Sequence, residues 1–314
     1  MTPDLPSALT ARAARAAHAS GAACASGAAC ACVAATLAHR EDTTVVRHAA
    51  TVAKAHAPGT DPAELALRVA VAAGLPGVLL PPLAPTPVEL HGRPVTYWPY
   101  GTPVDPGEPD AAPWEEAATL LARLHLAPLP AGLPPMRGPG KAARAVALLR
   151  DTAPRHPAAA PLLDAWAELP PWARGEAAAP GPARLCHGDF HLGQLIRRAG
   201  SGSPWLLIDV DDLGSGTPVW DLARPAAWYA CGMLDPDAWY RFLTAYRAAG
   251  GPAVPADGDP WTVLDVPARA LTVQTAARAV TKAVAAGWAL DEVEESLVDA
   301  CARMRSAPAP SPAD

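Results

Sequence analysis

Lysine is almost missing from this sequence. Only Lys54, Lys141 and Lys282 occur in 314 residues, while arginine and alanine are abundant. Such a bias reads as base-composition drift in the coding sequence, so alanine says little about structure and each retained lysine says more than usual. No run of basic residues is present and the net charge is −6, which argues against nucleic-acid binding that rests on phosphate neutralisation. The acidic excess suits a cationic small molecule. The six cysteines (Cys24, Cys30, Cys32, Cys186, Cys231 and Cys301) contain no C-x-x-C pair. That leaves a zinc ribbon or thioredoxin motif unsupported and fits a reducing, cytoplasmic location. The charge-free stretch 19–38 is Ala, Gly, Ser and Cys with hardly any Leu, Ile or Phe. Alanine drives membrane insertion weakly, and a lipoprotein box would want Leu where Gly21 stands before Cys24, so no membrane partner is expected. A Walker phosphate loop is excluded, because Gly140-Lys141 is followed by Ala142 and Pro135 stands where its first glycine belongs. No histidine follows His191, which speaks against a zinc or binuclear hydrolase built on His187, Asp189 and His191 with Asp209 and Asp211.

Half of the residues are hydrophobic, ample for a core without disulfides or a structural metal at this length. Residues 1–32, with the hexapeptide SGAACA twice, form a low-complexity start. From about Val33 to His56 the β-branched runs Thr43–Val46 and Thr51–Lys54 predict strands. Asp61 is placed to cap a helix that has Pro62 at its first position, Glu64 at the capping-box position, and a stop at Gly74. Val88–Leu90 and Val95–Trp98 flank His91-Gly92 as a hairpin. Tyr100–Pro113 reads as a linker. Helical spacing then dominates: Trp114–Leu126, Ala142–Leu149, Leu162–Glu168, Leu222–Ala230, Pro236–Ala249, Ala268–Ala286 and Asp291–Arg303. Leu185–Asp189 and Trp205–Val210 read as short buried strands among them, and the Pro-rich tail from Ser306 as a frayed end. The expected fold class is α+β: a small β-rich lobe over 1–103 and a larger, mostly helical lobe over 104–314, with a cleft between them.

The chemistry concentrates in two blocks, HGDFHLGQ over 187–194 and LLIDVDDLGSGTPVWDLA over 206–223. Each follows an apolar strand, so Asp189, the Gln194 carboxamide and Asp209 arrive from strand ends. Oxygen ligands with open positions suit Mg²⁺ together with substrate phosphates. A spare aspartate beside them suits a hydroxyl acceptor in phosphoryl transfer. The two blocks, in this order, resemble H-G-D-x-x-x-x-N and I-D-x-x-x-x-x-G-x-P-x-x-D-L-A of the aminoglycoside phosphotransferase superfamily, whose fold is similar to that of protein kinases. Ala122-Arg123-Leu124-His125 resembles the L-x-x-L-H helix of the same family, and the likeness spans roughly 33–304.

The resemblance implies a role for each matched position. Asp189 would be the catalytic base that orients the acceptor, Gln194 and Asp209 the metal ligands, His187 a loop-shaping residue and Asp221 a buried brace. Lys54 would hold nucleotide phosphates with Glu64 as its helix partner, and the hinge Tyr97-Trp98-Pro99-Tyr100 would bind adenine. The cofactors implied are ATP and Mg²⁺; the partner is a small-molecule hydroxyl acceptor.

Three departures stand out. Gln194 replaces Asn, as in kinases resembling maltokinase. Asp211, two residues after Asp209, is a candidate second metal ligand. The nucleotide loop 38–45 lacks glycine, which leaves phosphate contact to the hydroxyls of Thr43 and Thr44. Family and acidic C-terminal helices together favour an aminoglycoside or other amino-sugar as acceptor. A sugar or amino alcohol comes next, and the missing glycines keep a nucleotide-binding pseudokinase with a regulatory role as the alternative.

Overall fold

A computed structural model describes residues 4–19, 32–198, 200 and 202–304. The doubled hexapeptide up to residue 31 and the tail from residue 306 lie outside them. The chain opens with α1 (Leu5–Ala19), β1 (Ala34–His39), β2 (Thr44–His48), β3 (Thr51–Ala55), α2 (Pro62–Gly74), β4 (Val88–Leu90), β5 (Arg93–Pro99) and β6 (Gly101–Pro103). It continues with α3 (Trp114–Leu126), α4 (Gly138–Thr152), α5 (Ala159–Ala167), β7 (Arg184–Cys186), β8 (Leu195–Arg198), β9 (Trp205–Leu207) and β10 (Gly214–Gly216). It closes with α6 (Val219–Ala230), α7 (Pro236–Ala248), α8 (Trp261–Ala286) and α9 (Glu292–Met304). Two compact units result: residues 1–113 with 130–134 and 192–211, and the rest. A single cut between 103 and 104, the sequence expectation, would leave 192–211 with the helices.

In the first unit an antiparallel sheet runs in the order β1-β2-β3-β5-β4. The β4–β5 turn places His91 at φ 51° and Gly92 at φ 72°, the two left-handed residues that a tight type I′ hairpin needs. Strands β2 and β3 alternate buried and half-buried residues, so one face packs inward and Lys54 stands on the other. Helix α1 covers the inward face. Its Ala8, Leu9 and Ala13 join Val46, Ala53, Ala55, Leu90, Val95 and Tyr97 in one apolar cluster. The sequence reading gave 5–19 no element. Alanine is the strongest helix former, Asp4 Oδ1 caps the start by accepting the Ser7 N–H at 3.1 Å, and Leu9 supplies the apolar anchor. Asp61 caps α2 as expected, accepting the N–H groups of Ala63 and Glu64. The expected linker contains β6, which pairs with β8 in a three-stranded sheet completed by β9.

The second unit is built around α8, whose 26 residues bury a side chain on almost every turn. The two phenylalanines of the chain, Phe190 and Phe242, stack with centroids 6.2 Å apart. Phe242 meets Trp114 edge to face, and Tyr229 lies flat on Trp239. This aromatic layer anchors the segment that follows β7. Among the described residues no helix is long and apolar enough to cross a membrane.

Candidate active site

In the first unit, β9 positions one group of candidate residues. Leu207 bridges to Leu79, and the Ile208 N–H donates to the Gln194 carbonyl at 2.8 Å, which brings Gln194 and Asp209 side by side. Asp209 then takes φ 66°, a left-handed conformation that costs a non-glycine residue of order 1 kcal/mol or more and concentrates at functional positions. Its Oδ1 accepts the Asp211 N–H at 3.3 Å, a local turn that folds Asp211 back. Lys54 Nζ meets both carboxylates, Asp209 Oδ1 at 2.7 Å and Asp211 Oδ2 at 3.0 Å. His56 Nδ1 faces the other oxygen of Asp211 at 3.0 Å. Gln194 Nε2 donates weakly to Asp209 Oδ2 at 3.4 Å. Burial pushes the Lys54 ammonium toward neutrality, yet Asp209 and Asp211 outweigh it and hold its pKa above the usual lysine range. Burial likewise pushes Asp211 up, and Lys54 with His56 holds it well below the usual carboxylate range. Two carboxylates on one ammonium, with the Gln194 carboxamide beside Asp209, offer hard-oxygen donors of the kind that fit Mg²⁺.

In the second unit, the loop after β7 is built on Asp221. Its Oδ2 accepts the His187 N–H at 2.6 Å and its Oδ1 the Gly188 N–H at 2.7 Å. His125 Nε2 adds a third contact at 3.0 Å. On the far side His125 Nδ1 lies 2.7 Å from the Tyr246 hydroxyl, which accepts the Ala253 N–H. His125, Cys186 and Asp221 group closely enough to hold a metal ion, but these hydrogen bonds already use the aspartate. This is where the structure places His187 and Asp221. Gly188 sits at φ +84° with its virtual Cβ 2.3 Å from the Asp212 carbonyl oxygen. Gly188→Ala is therefore expected to melt several degrees earlier, and a variant with parent melting would refute this.

The loop presents Asp189, whose oxygens are both taken. Lys141 Nζ donates to Oδ2 at 2.6 Å and Arg224 Nη2 to Oδ1 at 2.6 Å. Lys141 also donates to Asp212 Oδ2 at 2.6 Å, and Arg224 Nε to the Phe190 carbonyl. Burial raises the Asp189 pKa, but Lys141 and Arg224 prevail and hold it well below the usual carboxylate range.

The sequence reading missed Lys141, Arg224 and Asp212. Lysine scarcity had marked Lys141, but Gly138-Pro139-Gly140 reads as a breaker, so the helix was expected from Ala142 rather than Gly138. Arg224 follows the D-L-A motif, and nothing distinguishes it among the many arginines.

The remaining expected residues are placed as follows. Glu64 accepts from Arg68 Nη1 at 3.1 Å, whereas the ion-pair partners of Lys54 are Asp209 and Asp211, so the lysine–glutamate pair expected from the resemblance is replaced by that triad. Thr44 is fully buried and its hydroxyl faces His39 Nδ1 at 3.1 Å; Thr43 lies in the β1–β2 loop. The Trp98 ring packs on Leu80, Ile196 and Leu206, with Nε1 donating to Thr96. The Tyr100 N–H donates to the Ala50 carbonyl, and Arg47 stacks on its ring at 3.5 Å. Pro99 has no N–H, so neither of the last two hinge residues has a free N–H to offer adenine.

The model of the phosphotransferase enzyme family matches residues 26–261. The chain belongs to this family. The phosphotransferase fold extends over nearly its whole length. A choline/ethanolamine kinase family protein from Mesorhizobium loti is similar over 95% of this chain and 96% of its own, with 18% identity and a TM-score of 0.59. Aminoglycoside phosphotransferase APH(4)-Ia, solved as a mutant with AMP-PNP and hygromycin B, is 14% identical over 88% and 95%, with a TM-score of 0.57. Spectinomycin phosphotransferase APH(9)-Ia, solved with ADP and spectinomycin, is 13% identical over 88% and 89%, with a TM-score of 0.54. No curated protein matches the chain. Family membership fits the phosphotransferase reading of the two motif blocks and not the hydrolase one.

Proposed function

We propose that this phosphotransferase moves the γ-phosphoryl group of ATP to a hydroxyl of a small molecule. The observation that carries the reading is the ionised, loop-braced Asp189 in a chain of this family. Lys54, Gln194, Asp209 and Asp211 add the means to hold a nucleotide. The acceptor oxygen forms the new bond to the γ-phosphorus as the bond to the ADP oxygen breaks, and the hydroxyl proton passes to the Asp189 carboxylate. The Lys54 ammonium, a compact charge with three donors, turns from Asp209 and Asp211 to the phosphate oxygens. Gln194, Asp209 and Asp211 would hold Mg²⁺, which supplies charge neutralisation across the phosphates. Buried free thiols at Cys186 and Cys301 support a cytoplasmic location. The net charge supports neither nucleic acid nor membrane as a partner.

An amino-sugar is the acceptor that the resemblance suggests first. The acidic residues behind that preference have a structural use, however. Asp291 and Glu294 exchange capping hydrogen bonds with each other's N–H at 2.8 and 3.1 Å, and Glu292, Glu294 and Glu295 suit the positive N-terminal end of α9. They lend the amino-sugar no support of their own. Purified protein with Mg·ATP and a panel of alcohols is expected to release ADP only with its acceptor, and about a hundredfold more slowly as Lys54→Met. Tight ATP binding without turnover on any acceptor would support the regulatory pseudokinase instead. Absence of ATP binding would refute both.

A further inference from the structure

The acceptor class can be read from the surroundings of Asp189, on the reading that this residue receives the acceptor hydroxyl. Lys141, Asp189 and Arg224 line a small cavity with Gly138, Trp220 and Gln274. We propose that Lys141, Arg224 and Gln274 form a subsite for an anionic group, carboxylate or phosphate, that the acceptor carries beside its reacting hydroxyl.

Three observations converge on this. A hydroxyl that hands its proton to Asp189 must take over an oxygen now held by Lys141 or Arg224. These cations are only 24% and 18% exposed, and a mostly buried cation deprived of its counter-charge is strongly disfavoured. Lys141 keeps Asp212 when it gives up Asp189, but Asp189 is the one carboxylate that Arg224 meets among the described residues. A neutral acceptor that takes its oxygen leaves the guanidinium without a counter-charge, a cationic one adds repulsion, and an anion on the acceptor restores the pairing.

Lys141 also lies in the first turn of α4, which carries no acidic residue there and no side-chain cap. A cation at this end opposes the helix dipole, and local conflicts of that kind survive where function uses them.

The third observation is independent of charge. The Gln274 carboxamide and the Trp220 indole N–H have no hydrogen-bond partner among the described residues, although both residues are only 4% exposed. Both residues line the cavity, where the oxygens of a ligand would meet them. Gly138 makes room for the indole, since a Cβ there would lie 2.1 Å from Trp220 Nε1. Lysine, guanidinium, carboxamide and indole donors together suit the oxygens of one anion. An aminoglycoside would instead bring an ammonium group to the guanidinium that has given up its counter-charge.

A matched series on one three-carbon frame tests this: glycerol, glycerate, glycerol 3-phosphate and 3-amino-1,2-propanediol. Each is titrated calorimetrically into the full chain and assayed for ADP release from Mg·ATP. The anionic members are expected to bind about tenfold or more tightly than glycerol, with the amine weakest. The tighter of the two anions tells carboxylate from phosphate. Arg224→Gln is expected to weaken anion binding about tenfold, Arg224→Lys to restore part of it, and ATP affinity to stay within about twofold. Gln274→Leu, which keeps the volume, provides a second variant should Arg224→Gln fold poorly, and is expected to weaken the anions alone. Equal affinities, preference for the amine, or variants that leave anion binding unchanged would overturn the subsite. Anion binding that depends on Arg224, with no ADP release from any member, would count against the transfer reaction and leave the subsite standing.

Discussion

Asp189→Asn is expected to slow acceptor-dependent ADP release by about a thousandfold, the scale of a lost general base. Affinity for Mg·ATP should change little, because Lys54, Asp209 and Asp211 belong to the first unit and keep their contacts. A coupled ADP assay beside ATP titration separates the two quantities, and a rate loss below tenfold would remove Asp189 from the reaction. The counter-charges add a pH signature. Burial alone would raise the Asp189 pKa, but Lys141 and Arg224 lower it, so the parent rate should show no acid limb from this group above about pH 4. Lys141→Met removes the stronger of these opposing charges, and the acid limb should move upward. The same sign governs stability. A carboxylate with a lowered pKa stabilises the folded state above its unfolded value and loses that contribution as the pH falls below it. Asp189 and Asp211 therefore contribute at neutral pH and not in strong acid.

Asp221→Ala is expected to be the most damaging single change to the fold of the second unit. The carboxylate is fully buried and accepts the His187 and Gly188 N–H groups together with His125 Nε2. Its removal strands three donors at once, a loss of about 3–5 kcal/mol. For a chain of this size that corresponds to roughly 10 °C in melting temperature. Asp221→Asn keeps one acceptor oxygen and should fall between. Thermal unfolding followed by circular dichroism provides the measurement, and a shift under about 3 °C for the alanine variant would show the brace to be dispensable.

The parts of this molecule that the sequence displayed are those with a local physical signature. Asp61-Pro62 announced α2, His91-Gly92 its hairpin, and the apolar spacing from Trp114 the helix α3. The two motif blocks singled out Asp189, Asp209 and Asp221 as candidates through their joint order and spacing, which a lone loop aspartate lacks. What stayed hidden depends on distant neighbours. Strands β6, β8 and β10 are three or four residues long, too short for a period, and exist because of their pairing partners. Helix α1 hid inside alanine, which composition had made uninformative. Lys141 lies 48 residues from Asp189, and Arg224 lies 35 beyond it, so no spacing rule connects them to the acid they bracket.

The path of the backbone limits how the protein can be divided. The first unit recruits 130–134 and 192–211 from far downstream. A gene truncated at residue 113 would encode the strand ammonium of Lys54 without either aspartate that neutralises it, and a helical remainder would carry those aspartates with no sheet to receive them. Neither half is a self-sufficient module, so in evolution or in the laboratory such an enzyme is inherited, swapped and expressed whole.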